Sequence, residues 1–187
     1  MTDRARFFVG YRSQWGRIRS TKTVAGIEAV LDACEAWGLL LEQTAYTLAS
    51  CKHESAHTFQ PIEERGKGKG RDYGEAVLVY RGKRIAYYGR GLIQISWLSN
   101  VARASVALGV DYVNHPELLL TLEHSVRVTM WGLLSGAWHA RGFGLGHYIN
   151  ADEVDYVEAR RCVNGTDHAP EIAEIARRFE AILREAA

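Results

Sequence analysis

The sequence predicts a single, mainly α-helical domain over residues 1–187, with one small β-hairpin or flap at about 60–88 beside a cleft. Three observations predict it. Apolar residues recur at helical spacing in segments on both sides of that insert. Within it, Pro61, Gly66, Gly68, Gly70, Gly74 and Gly82 interrupt every longer period. No internal repeat or low-complexity linker divides the chain, and 187 residues suit one core.

Phe7, Phe8, Tyr11 and Trp15 share one helical face, and this first helix is expected to stop near Gly16. Ser20, Thr21 and Thr23 are N-cap candidates for a second helix that turns Val24, Ile27, Val30, Leu31 and Cys34 inward and ends by Gly38. A third starts at Leu40 or Leu41 and runs through Ala45, Leu48 and Ala49 into Lys52, His53 and Glu54. Ala76–Tyr80 and Arg84–Tyr88 read as two short strands, the only β-structure expected. Helical spacing returns over Ile93–Leu108 and ends at Gly109. Pro116 takes the first position of a short helix, where its missing N–H costs nothing. Glu123–Trp138 reads as a long apolar helix, followed by a turn with Gly142, Gly144 and Gly146. Asp155–Val163 reads as a helix stopped by Asn164-Gly165, and Ala169–Ala186 as a final amphipathic helix carrying Ile172, Ile175, Phe179, Ile182 and Leu183.

Composition narrows the function classes. Hydrophobic residues make up 47% and charged residues 24%, as in water-soluble domains, and no apolar run approaches the roughly 20 residues of a membrane span. The N-terminal residues lack the apolar stretch of a secretory signal, so a cytoplasmic site of synthesis and residence is expected. Cys34, Cys51 and Cys162 are odd in number and set among apolar residues, which fits reduced core thiols rather than a disulfide framework. Between Arg65 and Arg90, eight basic residues face two acids, a local charge of +6 in a chain of net +1. Such a segment attracts an anionic polymer, either cell-wall glycan with its peptide carboxylates or nucleic acid, and is equally compatible with a plain solvated loop.

The chemistry concentrates between Lys52 and Asn100. His53-Glu54-Ser55-Ala56-His57 matches His-Glu-x-x-His, in which two histidines on one helical face bind zinc and the glutamate acts as base. Glu63 stands where the longer form of that motif places a third ligand, yet Gln60 occupies a position where that form requires glycine. A second reading pairs Glu54 with Glu63 or Glu64 for glycoside hydrolysis. One carboxyl gives a proton to the leaving oxygen while an ionised one, roughly 6.5–9.5 Å away in inverting enzymes, orients water. Glu54 falls at a helix C-terminus, where the macrodipole and partial burial both favour a protonated carboxyl. In Tyr87–Asn100, Gly89 and Gly91 flank Arg90, and Gln94, Ser96 and Asn100 offer amide and hydroxyl groups suited to sugar hydroxyls and N-acetyl groups. Trp97, Tyr87 and Tyr88 are candidates to stack on a sugar ring, and equally fit an ordinary core.

Lys52-His53-Glu54-Ser55, then Tyr87-Tyr88-Gly89-Arg90-Gly91-Leu92-Ile93-Gln94-Ile95-Ser96, then Ala159-Arg160-Arg161-Cys162-Val163-Asn164-Gly165 resembles the family 19 chitinases and their bacteriophage endolysin relatives in the lysozyme superfamily. The resemblance spans roughly Ala45–Gly165 and implies a lysozyme-like α+β domain with its hairpin or flap beside the active-site cleft. It also implies Glu54 as general acid, with Glu63 as second carboxylate by its spacing in phage lysozymes and Glu64 as the alternative. Ser96 corresponds to the residue that helps hold the attacking water. Gln94, Asn100 and Asn164 correspond to substrate-contacting positions; Tyr88, Arg90 and Trp97 complete the substrate-binding candidates, and Arg160 or Arg161 is placed to brace the carboxylates. The chain departs from the family where Gly-Gly usually follows the His-Glu-Thr triplet, having Ala56-His57. It lacks the extra loops and disulfides of plant chitinases, which favours peptidoglycan over chitin oligomers. The expected activity is inverting hydrolysis of β-1,4 bonds in peptidoglycan, without metal or organic cofactor, by a monomer that neither binds nucleic acid nor inserts into membrane. The expected setting is host-cell lysis, with release to the wall dependent on a holin. A catalytically dead wall- or nucleic-acid-binding module and a zinc peptidase are the rivals from other classes.

Overall fold

The computed structural model describes residues 2–187. Helix α1 (Arg4–Trp15) begins where the Asp3 carboxylate accepts the Arg6 N–H at 3.1 Å and ends at Gly16. Helix α2 (Thr21–Ala36) is capped by the Ser20 hydroxyl, which accepts the Lys22 N–H. Helix α3 (Leu41–Glu54) has no hydroxyl cap. Instead the Gln43 amide oxygen accepts the Leu40 N–H while its nitrogen donates to the Ile149 carbonyl, tying the helix start to a distant loop.

α3 is the central helix. Thr44–Lys52 are all buried, because α2 and the C-terminal α6 (Ala169–Glu185) cover it from different sides. The amphipathic pattern of α6 directs Ile172, Ala173, Ala176, Phe179, Ile182 and Leu183 inward. Phe179 stacks parallel to Phe7 at 6.3 Å and meets Trp15 at 4.6 Å, so α1 joins the same core. Thr47 and Thr44, polar residues on a buried helix, are satisfied by donating back to the carbonyls of Gln43 and Leu40. The three cysteines are free and buried, and burial pushes the Cys34 and Cys162 thiols up to about 12.

The expected hairpin exists, with β2 (Ala76–Tyr80) antiparallel to β3 (Lys83–Ala86). It is not the only β-structure. β1 (Ile62–Glu63) pairs with β4 (Arg90–Gly91), Ile62 opposite Gly91 and Glu63 opposite Arg90. A two-residue strand has no period for sequence reading to detect. Helix α4 (Leu98–Leu108) starts five residues later than expected, since Ile93–Trp97 forms a turn with Gln94 and Trp97 at φ 54° and 70°. Helix α5 (Leu122–Ser135) ends at Gly136 in the left-handed conformation, leaving Trp138 beyond it rather than on it. The expected helix over Asp155–Val163 contracts to a 3-10 turn, Glu158–Cys162, and another such turn starts at Pro116. Ile85, Tyr87, Ile95, Val101, Tyr112 and Leu119 form a second cluster under the hairpin and α4, distinct from the α3–α6 core.

Candidate active site

Glu54 is the last residue of α3, and the turn after it is tightly specified. Ser55, fully buried, accepts the Phe59 N–H with its hydroxyl, and Thr58 donates to the Ser55 carbonyl at 2.7 Å. Ala56, His57 and Phe59 have φ of 50°, 66° and 52°, a region disfavoured for side chains bearing Cβ. The Ala56-His57 departure therefore keeps a backbone that Gly-Gly would adopt without strain.

The Glu54 Oε1 accepts a hydrogen bond from Arg160 Nη1 at 2.5 Å, the arginine 2% and the glutamate 16% exposed. Arg160 also donates through Nε to the Asp167 carbonyl, and its own carbonyl accepts the Asn164 N–H. One carboxylate is thus anchored to the turn that continues as Val163-Asn164-Gly165. Of the two bracing candidates, Arg160 makes this contact, whereas Arg161 pairs with Glu158 on the surface.

Glu63 and Glu64, adjacent at the end of β1, go different ways. The Glu63 Oε1 accepts the Tyr88 hydroxyl at 2.8 Å and its Oε2 faces Lys67 at 3.3 Å. The Tyr88 hydrogen bond, helped by Lys67, holds this carboxyl below the usual range against the opposing effect of burial. It opens into a cavity of about 290 Å³ shared with Arg84, Arg90 and Glu117. The Glu64 Oε1 instead accepts the Tyr73 hydroxyl at 2.9 Å and its Oε2 the Gly89 N–H at 3.0 Å. A Cβ placed on Gly89 would lie 2.9 Å from the Gln94 amide oxygen and 3.4 Å from the Glu64 Cβ, so Glu64 and Gln94 flank the same side of that glycine.

Gln94, Ser96, Trp97, Asn100 and Asn164 come together in one groove of about 240 Å³, with Trp138 and Gly165 completing its wall. Gln94 donates to the Ile62 and Gly91 carbonyls, bolting the groove to the β1–β4 pair, and Asn100 donates to the Ser96 carbonyl. The positive φ of Gln94 and Trp97 places strained backbone in the lining, a cost that persists only where surrounding contacts enforce it. Trp97 is 46% exposed and meets the Tyr73 ring edge-on at 5.3 Å. Tyr88 and Arg90 do not join this groove. Arg90 is 6% exposed, stacks its guanidinium 3.6 Å from the Tyr88 ring and donates to the Ala86 and Tyr88 carbonyls. Both lie on the Glu63 side.

The zinc-binding geometry is not formed. α3 ends at Glu54, so His57 lies beyond the helix and shares no face with His53. His53 turns toward His168 and Glu171 of α6, and His57 lines a separate cavity with Tyr11 and Trp15. Among the described residues no group of three His, Cys, Asp or Glu side chains is arranged to hold a metal ion. Sequence reading missed Tyr73 and Trp138. Tyr73 links Glu64 to Trp97, and the one local signal for it is a lone aromatic inside the glycine-rich run. Trp138, expected on the helix over Glu123–Trp138, lies past the end of α5 and faces the groove instead.

A family model for class I chitinases matches residues 20–136, more than half of the chain. The chain is 38% identical over 81 residues to Endochitinase EP3 of Arabidopsis thaliana, covering 42% of this chain and 29% of that protein. It is 57% identical over 35 residues to the Basic endochitinase of Vitis vinifera, covering 19% and 11% respectively. These alignments span less than a third of the plant proteins. Among solved structures, chitinase C from Streptomyces griseus superposes with a TM-score of 0.67 at 21% identity, covering 98% of this chain and 76% of that one. A second bacterial family 19 chitinase gives 0.59 at 22% identity, covering 97% and 94%. Both structural matches establish the mainly helical, lysozyme-like fold with its small antiparallel sheets. By the extent of the sequence match, the chain belongs to glycoside hydrolase family 19, the class I chitinases.

Proposed function

We propose that this chain hydrolyses β-1,4 bonds of peptidoglycan by a two-carboxylate inverting mechanism, and acts as a lytic enzyme of the bacteriophage endolysin type. The observation that carries the chemistry is the anchoring of one carboxylate to each of two segments that line the groove, residues 160–165 and 89–97. Glu54 is held to the 160–165 turn by Arg160, and Glu64 to the 89–97 wall by Gly89 and Tyr73. In the proposed cycle Glu54 gives its proton to the glycosidic oxygen as the bond to the anomeric carbon breaks. Glu64 accepts a proton from the water that attacks that carbon on the opposite face, inverting it. Arg160 holds one Glu54 oxygen and leaves the other to face the leaving group. Ser96 and Gln94 orient the water and the sugar's acetamido group, and Trp97 offers an exposed ring face to an apolar sugar face.

Glu64 replaces Glu63, the first choice by spacing, because Glu63 opens into the other cavity beside Lys67. The basic segment from Arg65 to Arg90 supports an anionic wall polymer as substrate, and the endochitinase names of the plant relatives support chitin oligomers as the second reading. The proposed setting is the host cytoplasm until a holin opens the membrane, with the enzyme acting on the wall as a monomer. Digestion of purified peptidoglycan in heavy-oxygen water, with mass spectrometry of the fragments and NMR of the first-formed anomer, tests this reading. Label in the reducing N-acetylmuramic acid with inverted configuration is expected. Retention of configuration would overturn the mechanism, and cleavage of chitin oligomers alone would overturn the substrate.

A further inference from the structure

A cavity of about 590 Å³ beside the groove lies outside every role assigned above. It shares Trp138 and Gly165 with the groove, so the two are immediate neighbours. Its aromatic lining is preorganised. His147 stacks on Phe143 at 4.0 Å, Phe143 meets His139 at 5.2 Å, and the Tyr148 hydroxyl lies 2.8 Å from His139 Nε2. The Arg141 N–H donates to His139 Nδ1 at 2.9 Å, so neutral His139 carries its proton on Nε2 and directs it at Tyr148. The charge is cationic. Arg161 is paired with Glu158, whereas Arg141, on the exposed rim, has no carboxylate within salt-bridge distance among the described residues. Trp138 lines both cavity and groove, and its indole N–H is buried without an acceptor among the described residues.

A β-1,4 amino-sugar strand in the groove presents substituents sideways. In peptidoglycan every second sugar carries a lactyl ether extended by a peptide, whose first residues bear a free carboxylate. An extended chain reaches about 3.3–3.6 Å per residue, so two residues span about 7 Å, the scale of one neighbouring pocket. Chitin has neither the peptide nor the charge.

We propose that this cavity is a stem-peptide site, in which Arg141 pairs with a peptide carboxylate beside the His139–Phe143–His147 aromatic wall. The inference rests on the groove holding a glycan strand. It makes Arg141 a specificity-determining residue for peptide-bearing over bare glycan.

The test compares soluble peptidoglycan chains with the same chains stripped of peptide by an amidase, using wild type, Arg141→Gln and Arg141→Lys. Wild type is expected to favour peptide-bearing chains by about tenfold in kcat/KM, the scale of one hydrogen-bonded charge pair, mainly through KM. Arg141→Gln is expected to bring that ratio close to one, and Arg141→Lys to restore part of it. A wild-type ratio of one with both chains cleaved overturns the peptide site and leaves the glycosidase reading standing. Cleavage of neither chain removes the glycan reading and this inference with it. Independently of any variant, the isolated stem tripeptide is expected to shift the imidazole C–H resonances of His139 and His147 in wild type. Unshifted resonances at millimolar peptide would overturn the proposal.

Discussion

Glu54 and Arg160 form a pair in which the arginine is almost wholly buried, so each depends on the other for placement. Glu54→Gln is expected to lower kcat by about 10²–10⁴, the usual worth of a general acid, with retained folding in near-ultraviolet circular dichroism. Glu64→Gln is expected to lower kcat by a similar factor, and Glu63→Gln by only a small one; the reverse order would return the second role to Glu63. Lys52, two residues before Glu54, is 4% exposed, with its ammonium 3.0 Å from the Tyr11 hydroxyl and 4.7 Å from the Trp15 ring centre. Burial lowers its pKa to about 8 from a usual 10.5. Below about 8 both the folded and unfolded states hold the proton, and the cost of burying the charge is fully present. Between about 8 and 10.5 the unfolded chain holds a proton that the folded one has released, so this residue makes stability rise with pH. Urea unfolding at pH 8 and pH 9.5 is expected to show that gain in wild type and a smaller one in Lys52→Met.

At the scale of elements, α2 and the turn after α3 interlock. A methyl group on Gly26 would fall 2.0 Å from the Phe59 carbonyl oxygen, in the segment that leads from Glu54 to Glu64. Gly26→Ala is expected to destabilise by about 1–3 kcal/mol through overpacking and to reduce activity as well, because relief must come from that turn. Calorimetry read beside kcat checks both. α6 acts as the clasp of the core, since its Phe179 meets Phe7 and Trp15 and stands edge-on to Phe59 at 6.3 Å. Phe179→Ala is expected to cost about 3–5 kcal/mol in unfolding free energy. The long helices were legible because each keeps an apolar face over three or more turns. The β1–β4 pair, the turn before α4 and the 3-10 turn at Glu158–Cys162 were not, being too short for a period or held in place by contacts from elsewhere.

Over the whole molecule, charge and shape are distributed unevenly. The segment between Arg65 and Arg90 carries +6, so on the proposed function adsorption to an anionic wall is expected to weaken as salt rises, because screening lengths contract from about 10 Å at 0.1 M to about 3 Å at 1 M. Cosedimentation with purified walls across that range measures it, and salt-independent adsorption would remove the segment from wall binding. The sequence by itself determined the mainly helical class, the hairpin insert, the buried cysteines and the identity of the motif residues from Tyr87 to Ser96. Those properties follow from periodicity, turn chemistry and residue type, which are local. Tertiary structure alone decided which residues share a groove. It brought Asn164 into one groove with Gln94, set Arg160 against Glu54 across 106 positions of chain, gave Glu63 and Glu64 different partners and sent His53 and His57 apart. Neighbouring carboxylates on an extended backbone look equivalent in sequence, and only the packing around each one selects its direction.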